Sequence, residues 1–163
     1  MRYIIVFIFI FPLVTLAQDC KLNRQTDPYT KETKLSTGFI EFRRASVTID
    51  ADSREIDIFF SLEGNDKCFD NSSMAAIFFE GTKSKMSIRN SGTMNCEGFF
   101  HFIFKNTAST TSQLKKLATQ KINNIVFTGN GKKETIIIFS PDQQGVLISL
   151  IDCLVNEAKS LIK

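Results

Sequence analysis

The sequence predicts an α+β fold: a curled antiparallel β-sheet of about seven or eight strands, a short helix before the last hairpin, and a C-terminal helix packed on the sheet. Three observations predict it. Segments with apolar residues at every second position follow one another from residue 36 to residue 105, separated by turn residues. The period changes over Thr110–Gln120. After Ser140-Pro141, apolar residues recur at helical spacing to the end. Strands joined by turns, with helices late in the chain, belong to this class.

The elements follow in order. Cys20–Lys34 is polar, with a turn at Asp27-Pro28, and reads as a loosely structured arm. Ser36–Arg43 is a first strand. Ser46–Ala51 alternates Val47, Ile49 and Ala51 against polar residues. Glu55–Leu62 answers with Ile56, Ile58, Phe60 and Leu62, and Asp52-Ser53-Arg54 turns between them. Ala75–Glu80 is an apolar run broken by Gly81-Thr82, and Lys85–Asn90 alternates again, with Met86 and Ile88 inward. Gly98–Lys105 is apolar on both faces, a pattern of central strands covered on both sides. Thr110 with Gln113 fits a capping box ahead of Leu114, Leu117 and Ala118. Asn124–Thr128 and Glu134–Phe139 lie on either side of Gly129-Asn130-Gly131, whose Asn-Gly pair is favoured in a type I′ hairpin turn. Ser140 caps the last helix, Pro141 takes its first position and Gln143 its third. Val146, Leu147, Leu150, Ile151, Leu154, Ala158 and Leu161 form its apolar stripe.

The start of the chain has the pattern of an export signal. Arg2 precedes the apolar run Tyr3–Phe11, and Thr15-Leu16-Ala17 supplies small residues at the cleavage positions. The run is shorter than the roughly 20 residues that span a bilayer. The expected organisation is a signal peptide over 1–17 and one β-rich domain over 18–163. Cys20 follows Asp19 rather than a small residue, so lipid anchoring is not expected. The net charge of +3 includes Arg2, and the lysines are scattered, so neither nucleic acid nor a lipid surface is implied as partner.

Cys20, Cys68, Cys96 and Cys153 contain no CxxC pair, which disfavours a zinc ribbon or a dithiol redox site. An even count in an exported chain favours disulfides. If the strands between Cys68 and Cys96 form a hairpin, both cysteines fall at one end of it. Cys68–Cys96 is then an easy bridge, and Cys20–Cys153 is left over. The alternative for Cys153 is a buried thiol on the last helix.

No catalytic, metal or nucleotide-binding constellation stands out, and no cofactor is implied. His101 is the one histidine; between Phe100 and Phe102 it reads as a core or edge residue rather than a general base. Asp50, Asp52 and Glu55 read as turn chemistry, without an EF-hand pattern. Glu63, Asn65, Asp66 and Asp70, with Asn71, form an oxygen-rich loop and the candidate partner or ion site. Asn71-Ser72-Ser73 matches a glycosylation acceptor. With no tryptophan, a stacking surface for sugars or bases would rest on phenylalanines that the core claims.

Cys20 soon after the leader, Asp27-Pro28-Tyr29-Thr30, the short helix before Asn124-Ile125-Val126-Phe127, and Leu150-Ile151-Asp152-Cys153-Leu154 in the final helix give the chain a likeness. It resembles small exported bacterial proteins of unknown function, such as those common in Bacteroidetes. The resemblance implies a periplasmic or surface location and no site residues. The leading expectation is a non-enzymatic exported module that binds a partner at a sheet edge or loop end. The alternative is a carrier of a small apolar ligand in a phenylalanine-lined cavity. A third is a hydrolase using His101 with a nearby acid.

Overall fold

The computed structural model describes residues 20–64 and 67–162. The expected leader over 1–17 lies outside them, as do Asn65 and Asp66 of the oxygen-rich loop. The described elements are β1 (Asn23–Thr26), β2 (Thr33–Ser36), β3 (Ile40–Phe42), β4 (Ala45–Ala51), β5 (Glu55–Leu62), β6 (Met74–Phe79), β7 (Lys85–Arg89), β8 (Phe99–Lys105), α1 (Ser112–Thr119), β9 (Ile122–Thr128), β10 (Glu134–Ile138) and α2 (Pro141–Ala158). The α+β class holds, with the short helix before the last hairpin and the long helix at the end. The strands divide into two antiparallel sheets. The first runs β1-β2-β4-β5-β8, with β3 also on β4; the second runs β10-β9-β6-β7.

The expected hairpin of β4 and β5 is present, with Val47 opposite Phe60 and Ile49 opposite Ile58. Its turn is set by Asp52, whose Oδ1 accepts the Arg54 and Glu55 N–H groups at 2.7 and 2.9 Å. The N-terminal arm is not loose: β1 and β2 form a hairpin, closed by Asp27 Oδ1 accepting from Tyr29 and Thr30. β1 is exposed at every position, so it carries no apolar alternation to read. The single strand expected over Ser36–Arg43 is broken at Thr37–Phe39. There Gly38 takes φ +69° and Thr37 Oγ1 accepts the Ile49 N–H, so β2 and β3 meet different ends of β4.

Two further expectations change. β8 is a terminal strand, paired only with β5, rather than a central one. Its free edge is covered by the 90–97 loop. Asn95 exchanges hydrogen bonds with the Phe99 backbone at 3.0 Å, Asn90 Oδ1 accepts the His101 N–H, and Ser91 N–H donates to the His101 carbonyl. The β9–β10 connection spans residues 129–133, as the strand bounds predict, but its left-handed residues are Gly131 and Lys132 rather than the Asn130-Gly131 pair of the expected type I′ turn. The cap of α1 is Thr111, one residue later than expected, and the capping box of α2 from Ser140 and Gln143 is as expected.

The core lies between the sheets and under α2. Phe127 of β9 meets Phe60 and Phe100 of the first sheet at 5.3 and 5.0 Å between ring centroids, and Phe69 packs on Phe100 at 5.2 Å. These phenylalanines fill the space between the sheets by packing on one another. Leu147, Ile151, Leu154 and Ala158 of α2 are buried as the stripe predicts, whereas Val146 is exposed. Asn106 donates through Nδ2 to the Asp52 and Ala158 carbonyls, both at 2.8 Å, and ties the β4–β5 turn to the end of α2. Both disulfides are formed, Cys68–Cys96 and Cys20–Cys153, so Cys153 is not a buried free thiol. Such bonds persist in an oxidising compartment. Among the described residues no helix is long and apolar enough to cross a membrane.

Candidate functional site

His101 lies on the outer face of β8, opposite Phe59, and its Nδ1 is 2.7 Å from Asp57 Oδ2. Period two brings Asp57 and His101 to the same face of neighbouring strands. Neither is core: the two side chains keep 22% and 29% of their exposure. Asp57 Oδ1 is buried without a hydrogen-bond partner. Phe59 packs on the imidazole at 4.8 Å, and Gly92 lies so close beneath the ring that a side chain there would strike Cδ2. An acid orienting a histidine supplies two of the three members of a nucleophilic triad. Among the described residues no hydroxyl hydrogen-bonds to this ring, and all four cysteines are in disulfides. Phe39, Phe59 and Phe99 line the same outer face, with Phe39 66% exposed, so the core does not claim every phenylalanine.

The oxygen-rich loop is put to structural use where it is described. Asp70 Oδ1 accepts from the Ser72 hydroxyl and N–H at 2.7 and 2.8 Å and from Ser73, closing a tight turn. The Ser72 hydroxyl bond first, and its backbone bond second, hold the Asp70 carboxyl below its ordinary range. Asp27 is held low in the same way by the Thr30 and Tyr29 N–H groups. Glu63 faces basic company. Its N–H donates to the Arg44 carbonyl, its own carbonyl accepts from Lys67 Nζ, and burial followed by the Arg44 charge pushes the Lys67 ammonium down. Among the described residues no group of His, Cys, Asp and Glu is arranged to hold a metal.

A pH dependence follows. A carboxyl lowered in the folded state contributes stability that is fully present above its unfolded value, about 3.9, and lost as pH falls through the folded value. The urea midpoint should therefore fall below about pH 4. In Asp27→Asn/Asp70→Asn, which keeps the accepting oxygens, that fall should be shallower. An equal fall in both proteins would remove these two turns as its source.

The edges of the sheets differ sharply. β1 is polar and exposed, β7 presents Lys85 and Arg89, and β8 is covered. These are ordinary ways of blunting an edge. β10 is the exception. Ile136 and Ile138 are 47% and 69% exposed, while Ile137 between them is buried. The Phe139 N–H donates to Asn123 and the Lys133 carbonyl accepts from Gly129, so the odd-numbered residues face β9. The backbone N–H and C=O groups of Glu134, Ile136 and Ile138 therefore point outward.

Beside this edge is a surface groove of about 520 Å³ lined by Arg43, Arg44, Ile136, Ile138, Phe139, Ser140 and Gln143. The arginines form the β3–β4 turn, where Phe42 pairs with Ala45 and Arg44 holds φ +69°. That conformation usually goes to glycine or asparagine. Phe42 packs on Phe139 at 5.4 Å and brings the turn to the end of β10. Neither arginine has an ion-pair partner among the described residues. The result is an open strand edge with apolar side chains and, at one end, two guanidinium groups without an ion-pair partner among the described residues. Sequence reasoning assigned no role to Arg43 or Arg44, because nothing local shows that β10 lies next to them. The chain matches no protein-family model, no curated protein and no solved structure.

Proposed function

We propose that the protein is an exported, non-enzymatic binding module that takes an extended, acid-bearing segment of a partner along the open edge of β10. The observation that carries this reading is the unpaired strand itself, with Ile136 and Ile138 exposed beside Arg43 and Arg44. Strand addition gains affinity from main-chain hydrogen bonds, and specificity from what lies beside the edge. Here that is an apolar strip ending in two guanidinium groups, which suit a carboxylate by bidentate pairing. The two disulfides support export.

Titration with short extended peptides tests it. Peptides alternating valine with glutamate should bind saturably; the same peptides with lysine for glutamate should bind at least tenfold more weakly. Ile136→Pro should abolish binding, because it removes an outward N–H without touching the bonds to β9. Saturable binding that survives Ile136→Pro, or no binding by any peptide, would overturn the reading.

A further inference from the structure

Along the open edge the sequence pattern is self-complementary. Glu134, Ile136 and Ile138 share one exposed face of β10, an acid at one end and two isoleucines after it, with the arginine groove at the isoleucine end. Glu134 has no ion-pair partner among the described residues, and neither do Arg43 and Arg44. We propose that the occupant of this edge is a second copy of the chain, paired antiparallel through β10 about a two-fold axis at Ile136; this rests on the strand-addition reading above.

The register follows from which groups face outward. Pairing Ile136 with the partner's Ile136 sets Glu134 opposite the partner's Ile138, and the reciprocal pair follows by symmetry. Residues whose backbone groups both point into the gap exchange both N–H···O bonds, so all these pairs are hydrogen-bonded. Each Glu134 carboxylate is then delivered to the groove lined by the other copy's arginines. The same register runs Lys133 and Lys132 past the groove to the start of the other α2, where Asp142 is the acidic residue of the first turn. Both four-stranded sheets join into one continuous sheet. The apolar edge, an aggregation template if left open, is closed in a symmetric way that cannot propagate. A contact of one short strand and a groove is small beside the roughly 1,600 Å² of standard interfaces, so the dimer is weak and concentration-dependent.

Sedimentation equilibrium of the oxidised protein tests this. The wild type should pass from one to two copies as concentration rises. Glu134→Lys should stay monomeric, because it sets Lys against Arg. Arg43→Glu/Arg44→Glu should stay monomeric, because it sets Glu against Glu. Mixed in equal amounts, the two variants should associate one to one, because each contact then joins opposite charges. A wild type that stays monomeric throughout would overturn the proposal, as would variants that self-associate as the wild type does. Acidic-peptide binding separates the two readings. A monomeric wild type that still binds these peptides, and loses them in Ile136→Pro, sinks self-pairing alone; one that binds no peptide sinks both. Glu134→Lys keeps its arginines, so its retained peptide binding shows that it is folded.

Discussion

Replacing Cys20 and Cys153 by serine is expected to lower the unfolding free energy by about 5 kcal/mol, and replacing Cys68 and Cys96 by about 3.5 kcal/mol, on the chain-entropy scaling with loop length. The bridges close loops with sequence separations of 133 and 28. Against the 5–15 kcal/mol typical of a domain, the longer bridge is a large fraction of stability. The two losses should also differ in place. Cys20–Cys153 ties the segment ahead of the β1–β2 hairpin to α2, and that hairpin has little else to hold it: β1 is wholly exposed, and Leu35 is the one fully buried side chain of β2. Cys68–Cys96 joins loops already bonded through their backbones. Phe69 and Asn95 exchange N–H···O bonds at 2.8 and 2.9 Å, and Gly98 N–H donates to the Lys67 carbonyl. Hydrogen exchange should therefore show lost protection in β1 and β2 for the first double variant, and retained protection in β6 and β7 for the second. Equal midpoints for wild type and Cys20→Ser/Cys153→Ser in guanidinium would refute the larger effect.

What the sequence reveals of this fold depends on whether a residue's burial is set by its own strand or by a distant one. β4 and β5 are legible because each alternates against one core, and Asp52 marks their turn. The Cys68–Cys96 bridge is legible because a β6–β7 hairpin places both loops at one end. β1 is not, because every one of its positions is exposed and no apolar alternation marks it. Phe99, His101 and Ile103 read as a second buried face. They are half-buried instead, with Phe99 and His101 packed beside Phe59 of the neighbouring strand and no second layer over them among the described residues. Nor does period-two alternation say which strands are neighbours. The split into two sheets, with β6 between β7 and β9, comes from pairings distant in sequence. The candidate site suffers most from this. The isoleucine run of β10 is visible, but which isoleucines are exposed depends on the register with β9, and the arginines arrive from a turn some 90 residues earlier. Asp57 and His101 meet for the same reason, through the pairing of β5 with β8.

Phe127→Ala is expected to cost about 3–5 kcal/mol, the range for deleting a fully buried aromatic ring. Phe127 is completely buried and is the ring through which the second sheet meets the first, with Phe60, Phe69, Phe100 and Phe102 at 5.3, 6.4, 5.0 and 6.3 Å. Its loss removes contacts to four neighbours at once and leaves a void that two sheets, each fixed by its own ladder, close only in part. Phe59→Ala, on the half-exposed outer face, should cost about 1 kcal/mol. Urea denaturation of the two variants compares them directly. Equal losses would mean that the sheets are not joined through Phe127. The same pair bears on whether the phenylalanines surround a ligand or one another. A void left by Phe127→Ala is apolar, and such voids take up benzene-sized molecules. Benzene should therefore raise the thermal midpoint of Phe127→Ala and leave the wild type unchanged, because in the wild type the Phe127 ring already occupies that space. A comparable rise in the wild type would instead mean that the phenylalanine cluster holds room of its own, and would turn the search from the β10 edge to the interior.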